Sequence, residues 1–379
     1  MLLILFFQDN IHAYGQDLSF PEEWRKAWYN PQPLFRKDTL TICFLGDVMM
    51  HSKQIENTRI GSSAYDFSSF FSLIEDEIKG ADLAVANMEF TLGGKPYTGY
   101  PSFSAPDGFE DYLTETGFDI FLAANNHIFD KGARGAQRTL EKYRNLADAH
   151  NMWFTGLAES EEELNATTPL LIRIKGMKLA FINFTYGTNQ GSGAAWPQTN
   201  YIKETQKIES AFQKCEEAGA DYIIALPHWG TEYQLKHSSE QEKTARWLIE
   251  SGADAIIGTH PHVIQDSQEI DGVTVAYSLG NAVSNMSAAN TQLELMATIR
   301  IARDFAGNTY MLPITFTYLW CSLPGGYNNS YTVIPVAKYI NRKEEWQGSW
   351  DYEKMMKTYE RVKKASGIQD SNIDINTDN

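Results

Sequence analysis

Four segments of the chain share one local pattern that leaves little freedom in the fold: "KGADLAVANME", "TGFDIFLAANNH", "AGADYIIALPHWG" and "SGADAIIGTHPH". In each, a segment with helical spacing stops at glycine, one residue intervenes, and an aspartate opens an apolar run. Glycine suits the left-handed conformation that ends a helix. A short run that is apolar at every position suits a strand covered on both faces, as in parallel sheets. The pattern therefore marks helix-to-strand units of an α/β protein. The preceding segments, such as "SSFFSLIEDEIK" and "SSEQEKTARWLIE", mix apolar and charged residues at helical spacing, as helices laid on a sheet require. "LTICFLGD" near residue 40, "MKLAFINFTYG" near 177 and "GVTVAYSLGN" near 272 read as further strands. Beyond Asn290, "LELMATIRIAR", "TYMLPITFTYLW" and "YTVIPVAKY" alternate or run β-branched between turn residues, which predicts C-terminal antiparallel strands.

With 379 residues, 43% of them apolar, the chain can fill one large core or two smaller ones. Its formal net charge of −16 argues against nucleic acid or an anionic membrane surface, since both need a basic footprint. An anionic substrate then needs local positive charge, from metal or from a cluster such as Lys131, Arg134 and Arg138. Cys43, Cys215 and Cys321 are odd in number and far apart, so they read as buried thiols. The first 16 residues carry an apolar run too short to span a bilayer, and resemble the trailing half of a signal peptide with Ala13 near a cleavage point. Export to the periplasm or cell envelope is the expectation, with no transmembrane helix in the mature chain. An extension at 17–38 follows, then the main domain at 39–345, a C-terminal helix at 346–364 and a polar, disordered tail at 365–379. The Gly-rich connection "YGTNQGSGAAWPQTN" at 186–200 reads as a lid, because long loops in compact domains are commonly functional.

The exits of the predicted strands are unusually polar. Asp47 follows the first; Asn87 and Glu89 the next; then Asn125, Asn126 and His127, with Asp130 beyond. His228 leads Trp229, Gly230 and Glu232; His260 and His262 flank Pro261; Asn281 closes the series. Ligands collect at this edge of an open α/β sheet because the loops leaving the strands meet there. Any one such residue commonly caps a helix or bonds a backbone group. The whole set, mixed oxygen and nitrogen donors above apolar strands, suits Zn²⁺, Mn²⁺ or Fe. No GxSxG, Walker or GxGxxG motif competes with it. His12, His51, His150 and His237 lie in the leader, a loop or helical stretches and read as solvated.

Taken together, "FLGDVMM", "ANMEFTL", "LAANNHIFDKG", "LPHWGTEY", "GTHPHVIQ" and "AYSLGN" resemble, in order, the CapA-type poly-γ-glutamate capsule biosynthesis family, itself similar to the calcineurin-like metallophosphoesterases. The resemblance implies a two-sheet αββα sandwich with one or two divalent metal ions at the strand ends. Under it, Asp47 matches the first metal-binding aspartate and Glu89 the bridging carboxylate. Asn126 matches the amide ligand, and His127 the adjacent histidine that acts on substrate, with Asp130 orienting it. His228 and His260 match the second metal's imidazoles, and His262 the last ligand of the first metal. One departure stands out: the superfamily opens with Asp-x-His, whereas Asp47 is followed by Val48 and Met49. Two functions follow from the resemblance. One is a cell-envelope metal-dependent hydrolase of a phosphoester or an amide-linked acidic polymer. The other is a non-catalytic component that holds polymer during capsule synthesis or export, alongside other capsule-synthesis partners.

Overall fold

The computed structural model describes residues 39–371. The apolar leader, the extension at 17–38 and the last residues of the expected tail, 372–379, lie outside them. Two sheets carry the fold. In the first, β1 (Leu40–Val48), β4 (Leu83–Met88), β5 (Ile120–Leu122) and β6 (Trp153–Thr155) run parallel. On the other side of β1 come β13 (Leu293–Arg303), β15 (Thr315–Ser322) and β16 (Thr332–Pro335), joined to one another antiparallel as their alternating sequence predicts. The second sheet has β8 (Met177–Thr185), β9 (Tyr222–His228), β10 (Ala255–Ile257) and β12 (Val273–Ala276) parallel at its centre. The antiparallel strands β7 (Leu170–Ile174) and β11 (Ser267–Ile270) form its edges. A two-residue ladder of β2 (Arg59–Ile60) and β3 (Ala64–Tyr65) lies in the first long loop. Within residues 301–311, β14 (Thr309–Met311) returns antiparallel along the end of β13.

Side-chain alternation builds the layers. Cys43 and Leu45 of β1 and Ala84, Ala86 and Met88 of β4 join a cluster with the helices Phe109–Thr116 and Gly132–Ala149. Ala180 and Ile182 of β8 and Ile256 of β10 join a second cluster with the helices Thr205–Glu217 and Ser239–Glu250. The alternate residues, Ile42, Phe44 and Val85 in one sheet and Leu179, Phe181, Ile224 and Ile257 in the other, are just as buried but belong to neither helical layer. They fill the space between two stacked sheets, giving the αββα order. Asn183 of β8 ties the sheets at their strand ends: its Oδ1 accepts from Ala124 N at 2.8 Å and its Nδ2 donates to Leu226 O at 2.9 Å.

The repeated aspartate explains the register. Asp82, Asp119, Asp221 and Asp254 each stand directly before β4, β5, β9 and β10, and each grips the neighbouring strand at two points. Their amides donate to the carbonyls of Thr41, Ala84, Lys178 and Ile223 at 2.9, 2.8, 2.7 and 2.8 Å. Their carboxylates accept from the amides of those same residues at 2.9, 2.8, 2.7 and 2.7 Å. The sequence thus writes four copies of one strand-pairing clamp. A shift of one residue would turn every side chain to the wrong face.

The C-terminal helix, expected at 346–364, spans Ser349–Ser366. It is anchored by Asp351, whose Oδ2 accepts from Ser322 Oγ at 2.5 Å and Trp320 Nε1 at 3.3 Å. The chain just beyond differs from the expected tail: Ile368 is buried, and Ser371 N donates to Phe316 O at 2.8 Å. An apolar residue two positions past the helix stop supplied enough burial to dock it. No helix among the described residues is long and apolar enough to cross a membrane.

Burial, opposed by the Ala84 amide and aided by nearby Asp82, pushes the Asp119 carboxyl up to about 6. Asp119→Ala should cost about 1–3 kcal/mol, the range for stranding a buried donor. Asp119→Asn keeps an acceptor for Ala84 N and should cost less. Because the folded carboxyl holds its proton above the unfolded value of 3.8, wild-type stability should fall relative to Asp119→Asn as pH rises from there to about 6. Urea unfolding of the pair across that window checks this.

Candidate metal centre

Each parallel strand near the sheet seam delivers one or two members of the site. Asp47 lies at the end of β1, Glu89 directly follows β4, and Asn126 and His127 follow β5. His228 ends β9, while His260 and His262 occupy the turn after β10. All are nearly sealed from solvent, from 0% exposed at Asp47 and Glu89 to 3% at His127, Asp130 and His260. Burial this deep requires each polar atom to find a partner, so the atoms without one are informative. Both carboxylate oxygens of Glu89 and the Nδ1 of His260 have none.

Donor atoms converge around those orphans. Glu89, His228 and His260 present one donor each within 4.8 Å of one another, as do Asp47, Glu89 and His262. Glu89 is common to both groups, with Oε1 3.7 Å from His228 Nε2 and Oε2 3.8 Å from His262 Nδ1. Asn126 Oδ1 sits 2.9 Å from His228 Nε2 and so faces the first group. Two buried carboxylates this close resist joint ionisation: burial, then the charge of Asp47, pushes Glu89 well above the usual carboxylate range. Burial, then the neighbouring imidazoles, holds His228 and His260 well below ordinary histidine. Neutral imidazoles and a carboxylate lacking hydrogen-bond donors are what a divalent cation needs. The residues present fit one or two such ions.

Supporting contacts fix these groups. Asp47 accepts from Asn87 Nδ2 at 2.7 Å and from the His260 amide at 3.2 Å. His228 Nδ1 lies 2.9 Å from Thr259 Oγ1, and His262 Nδ1 lies 2.9 Å from Asn281 Oδ1, partners that orient ligating imidazoles. His262 differs electrostatically: burial disfavours its charge, but bonding to Asp47 and Asn281 outweighs this and raises its pKa. His260 and His262 hold φ of +99° and +58°, a strained backbone that surrounding bonds must enforce. The segment after β12 supplies some of them. Asp47 N donates to Gly280 O at 2.9 Å, Ala282 N to Asp47 O at 2.9 Å, and Leu279 N to Gly258 O at 3.2 Å. Gly46 can only be glycine, since a Cβ there would lie 1.9 Å from Gly280 O.

His127 and Asp130 form a separate pair at the rim. His127 Nδ1 is 2.7 Å from Asp130 Oδ2, which also accepts from Phe103 N at 2.7 Å. The other imidazole nitrogen, Nε2, lies 3.9 Å from Glu89 Oε1. The Gly-rich loop at 186–200 does border the site: Asn189 Nδ2 approaches His127 Nε2 at 3.4 Å, and the Tyr186 ring lies 4.5 Å from that of His260. Asn87, Thr259, Asn281 and Glu232 stand at strand exits with no role legible in the sequence, and Asn189 and Tyr186 are marked there only as members of the Gly-rich loop. Nothing in a single sequence separates these from ordinary loop residues. Two histidines expected in solvent are not there. His51 Nδ1 lies 3.1 Å from Gln54 Oε1 and its ring packs edge-on against Phe103, with burial pulling its pKa down to about 4. His237 stacks on Tyr277 at 3.9 Å and bonds Asp266. In both cases an aromatic neighbour distant in sequence provides the cover.

Residues 41–286 match the family described as "Bacterial capsule synthesis protein PGA_cap". The chain is 26% identical over 267 residues to "Capsule biosynthesis protein CapA" of Bacillus anthracis, covering 67% of this chain and 62% of that protein. It is 24% identical over 289 residues to "PGA biosynthesis protein CapA" of Bacillus subtilis (strain 168), covering 74% of this chain and 72% of that one. Among solved structures, the calcineurin-like phosphoesterase YfkN from Bacillus subtilis aligns with a TM-score of 0.43 at 14% identity, covering 86% of this chain and 97% of that chain.

The two donor groups should differ in strength, because Asn126 adds to the one containing His228 while Met49 adds no imidazole to the other. His262→Ala should empty the weaker position and spare the tighter one, and His260→Ala should loosen the tighter one. Anomalous diffraction on Mn²⁺-soaked crystals checks this. Burial beside Asp47 favours the protonated form of Glu89, and bonding to Asp47 and Asn281 that of His262, so a cation must displace protons and the stability gained on binding should grow as pH rises. Metal at ~100 Kd should contribute about 2.7 kcal/mol, and melting with and without chelator at a series of pH values measures it.

Proposed function

The chain belongs to the bacterial capsule synthesis protein family, and from that premise we propose that it is a metal-dependent hydrolase of capsule biosynthesis. Its substrate is a phosphoester or an amide-linked acidic polymer, and its place is the cell envelope. One observation carries the reading: a fully buried glutamate without hydrogen-bond donors stands between two sets of neutral or carboxylate-paired imidazoles. As a purely structural group Glu89 would be an uncompensated desolvation cost; as a shared ligand it is compensated.

Asp47, Glu89 and His262 would hold one ion, and Glu89, Asn126, His228 and His260 the other. When bound, such ions polarise a phosphoryl or acyl oxygen and lower the pKa of water towards about 7 in favourable zinc sites. The protein's own residues supply the rest. His127 keeps Nδ1–H on Asp130, which leaves Nε2 directed at the cleft to protonate the leaving group. The buried Asp130 carboxylate balances the charge of the protonated ring and fixes its plane. The suggested cationic cluster contributes less than its sequence implies, because Arg138 is spent on Asp107 Oδ1 at 2.9 Å and Leu92 O at 2.6 Å.

The non-catalytic reading draws on a single observation, that Met49 sits in the apolar core where the superfamily has an imidazole. His127→Ala separates the two. Under the hydrolase reading it should lower turnover of phosphoesters or γ-glutamyl peptides by ~10²–10⁴-fold with bound metal unchanged. Asp130→Asn should lose less. Loading of wild type with metal but no turnover of either substrate class would favour the polymer-holding role. For location, cell fractionation should recover the protein with the envelope.

A further inference from the structure

The His262 side of the site has lost the imidazole of Asp-x-His, and nothing nearby in the chain replaces it. Met49 is 2% exposed and packs in the apolar core. His51, two residues on, has Nδ1 3.1 Å from Gln54 Oε1 and 3.3 Å from the Asn285 amide nitrogen, and joins none of the donor groups among the described residues. A carboxylate approaches that side from a loop of the other sheet. Glu232, in the loop after β9, presents an oxygen within 4.8 Å of donor atoms on both His260 and His262.

That approach is built in. Trp229 N donates to Thr259 O at 3.0 Å and its Nε1 to Tyr277 O at 2.9 Å. On the far side of Glu232, Tyr233 N donates to Pro261 O at 2.9 Å, with φ at +65° and its ring 6.2 Å from that of His262. Gly230 turns between these anchors at φ +93°, where a Cβ would strike the Gln241 amide at 2.6 Å. Glu232 is thus pinned from both sides onto the turn carrying the two histidines. It adds negative charge to a region already holding Asp47 and Glu89. Without a cation this arrangement is unfavourable.

We propose that Glu232 is a metal ligand on the His262 side of the site, where its carboxylate meets the donor atoms of His260 and His262. This rests on the metal-binding reading of the site but not on catalysis.

The test is Mn²⁺ titration of the full chain by calorimetry, with metal stoichiometry and anomalous occupancy, for wild type, E232Q and H228A. Melting of the metal-free proteins confirms that each variant is folded. The expected result is two ions in wild type, with E232Q weakening only the His262-side ion by more than ~100-fold, beyond the 10–100-fold that loss of an outer partner costs. H228A should weaken only the other ion. E232Q that retains both ions at wild-type affinity, or that loses the His228-side ion instead, overturns the assignment while leaving the metal site standing. Wild type that takes up no Mn²⁺ or Zn²⁺ overturns the metal-site reading itself.

Discussion

An aspartate carboxylate accepting a neighbouring strand's amide, repeated four times, sets everything above it. Each copy fixes where one parallel strand begins against the next, and a strand whose start is fixed has a fixed end. Since the candidate ligands stand at those ends, the clamps at one edge of the sheets determine donor positions at the other. The strands are short, three residues for β5 and β10, so little error can accumulate along them. A parallel ladder carries no hairpin turn to define its register; here a side chain at the strand's entrance does that work.

The opposite edge is electrostatically unfavourable in the metal-free chain. Glu89 and Asp47 share a buried space, and His228 and His260 are kept neutral beside them. Folding brings these groups together through apolar burial elsewhere, chiefly the two helical layers and the space between the sheets. The site is therefore assembled at a cost that a bound cation would relieve, which would make affinity, pH and stability aspects of one equilibrium.

Much of this was legible because it is periodic or local. The Gly-x-Asp repeat announced helix-to-strand units, and apolar runs ending in Asp47, Glu89, His228 and His260 placed donors at strand exits. What stayed hidden depends on contacts between distant segments. Asn281 supports His262 only because the chain after β12 returns across both sheets. His51 and His237 are covered by Phe103 and Tyr277, far off in sequence. Glu232 stands beside the "HPH" turn because Tyr233 bonds Pro261, a contact no spacing rule encodes. The burial of Ile368 just past the C-terminal helix is likewise invisible within a stretch of polar composition.

The segment 279–283 has a mechanical meaning. It bonds Asp47 and Met49 of the first sheet's leading strand and Gly258 of the second sheet's ligand loop, so it works as a strap across the seam. Domain-closing enzymes admit their cofactors by parting two halves. Here such a hinge would have to tear that ladder and the Asn183 tie together. Any access to the buried donor groups would therefore have to leave the sheets in place, and the part-exposed rings of Tyr186 and Tyr233, 4.5 and 6.2 Å from those of His260 and His262, are the side chains whose rotation could uncover them.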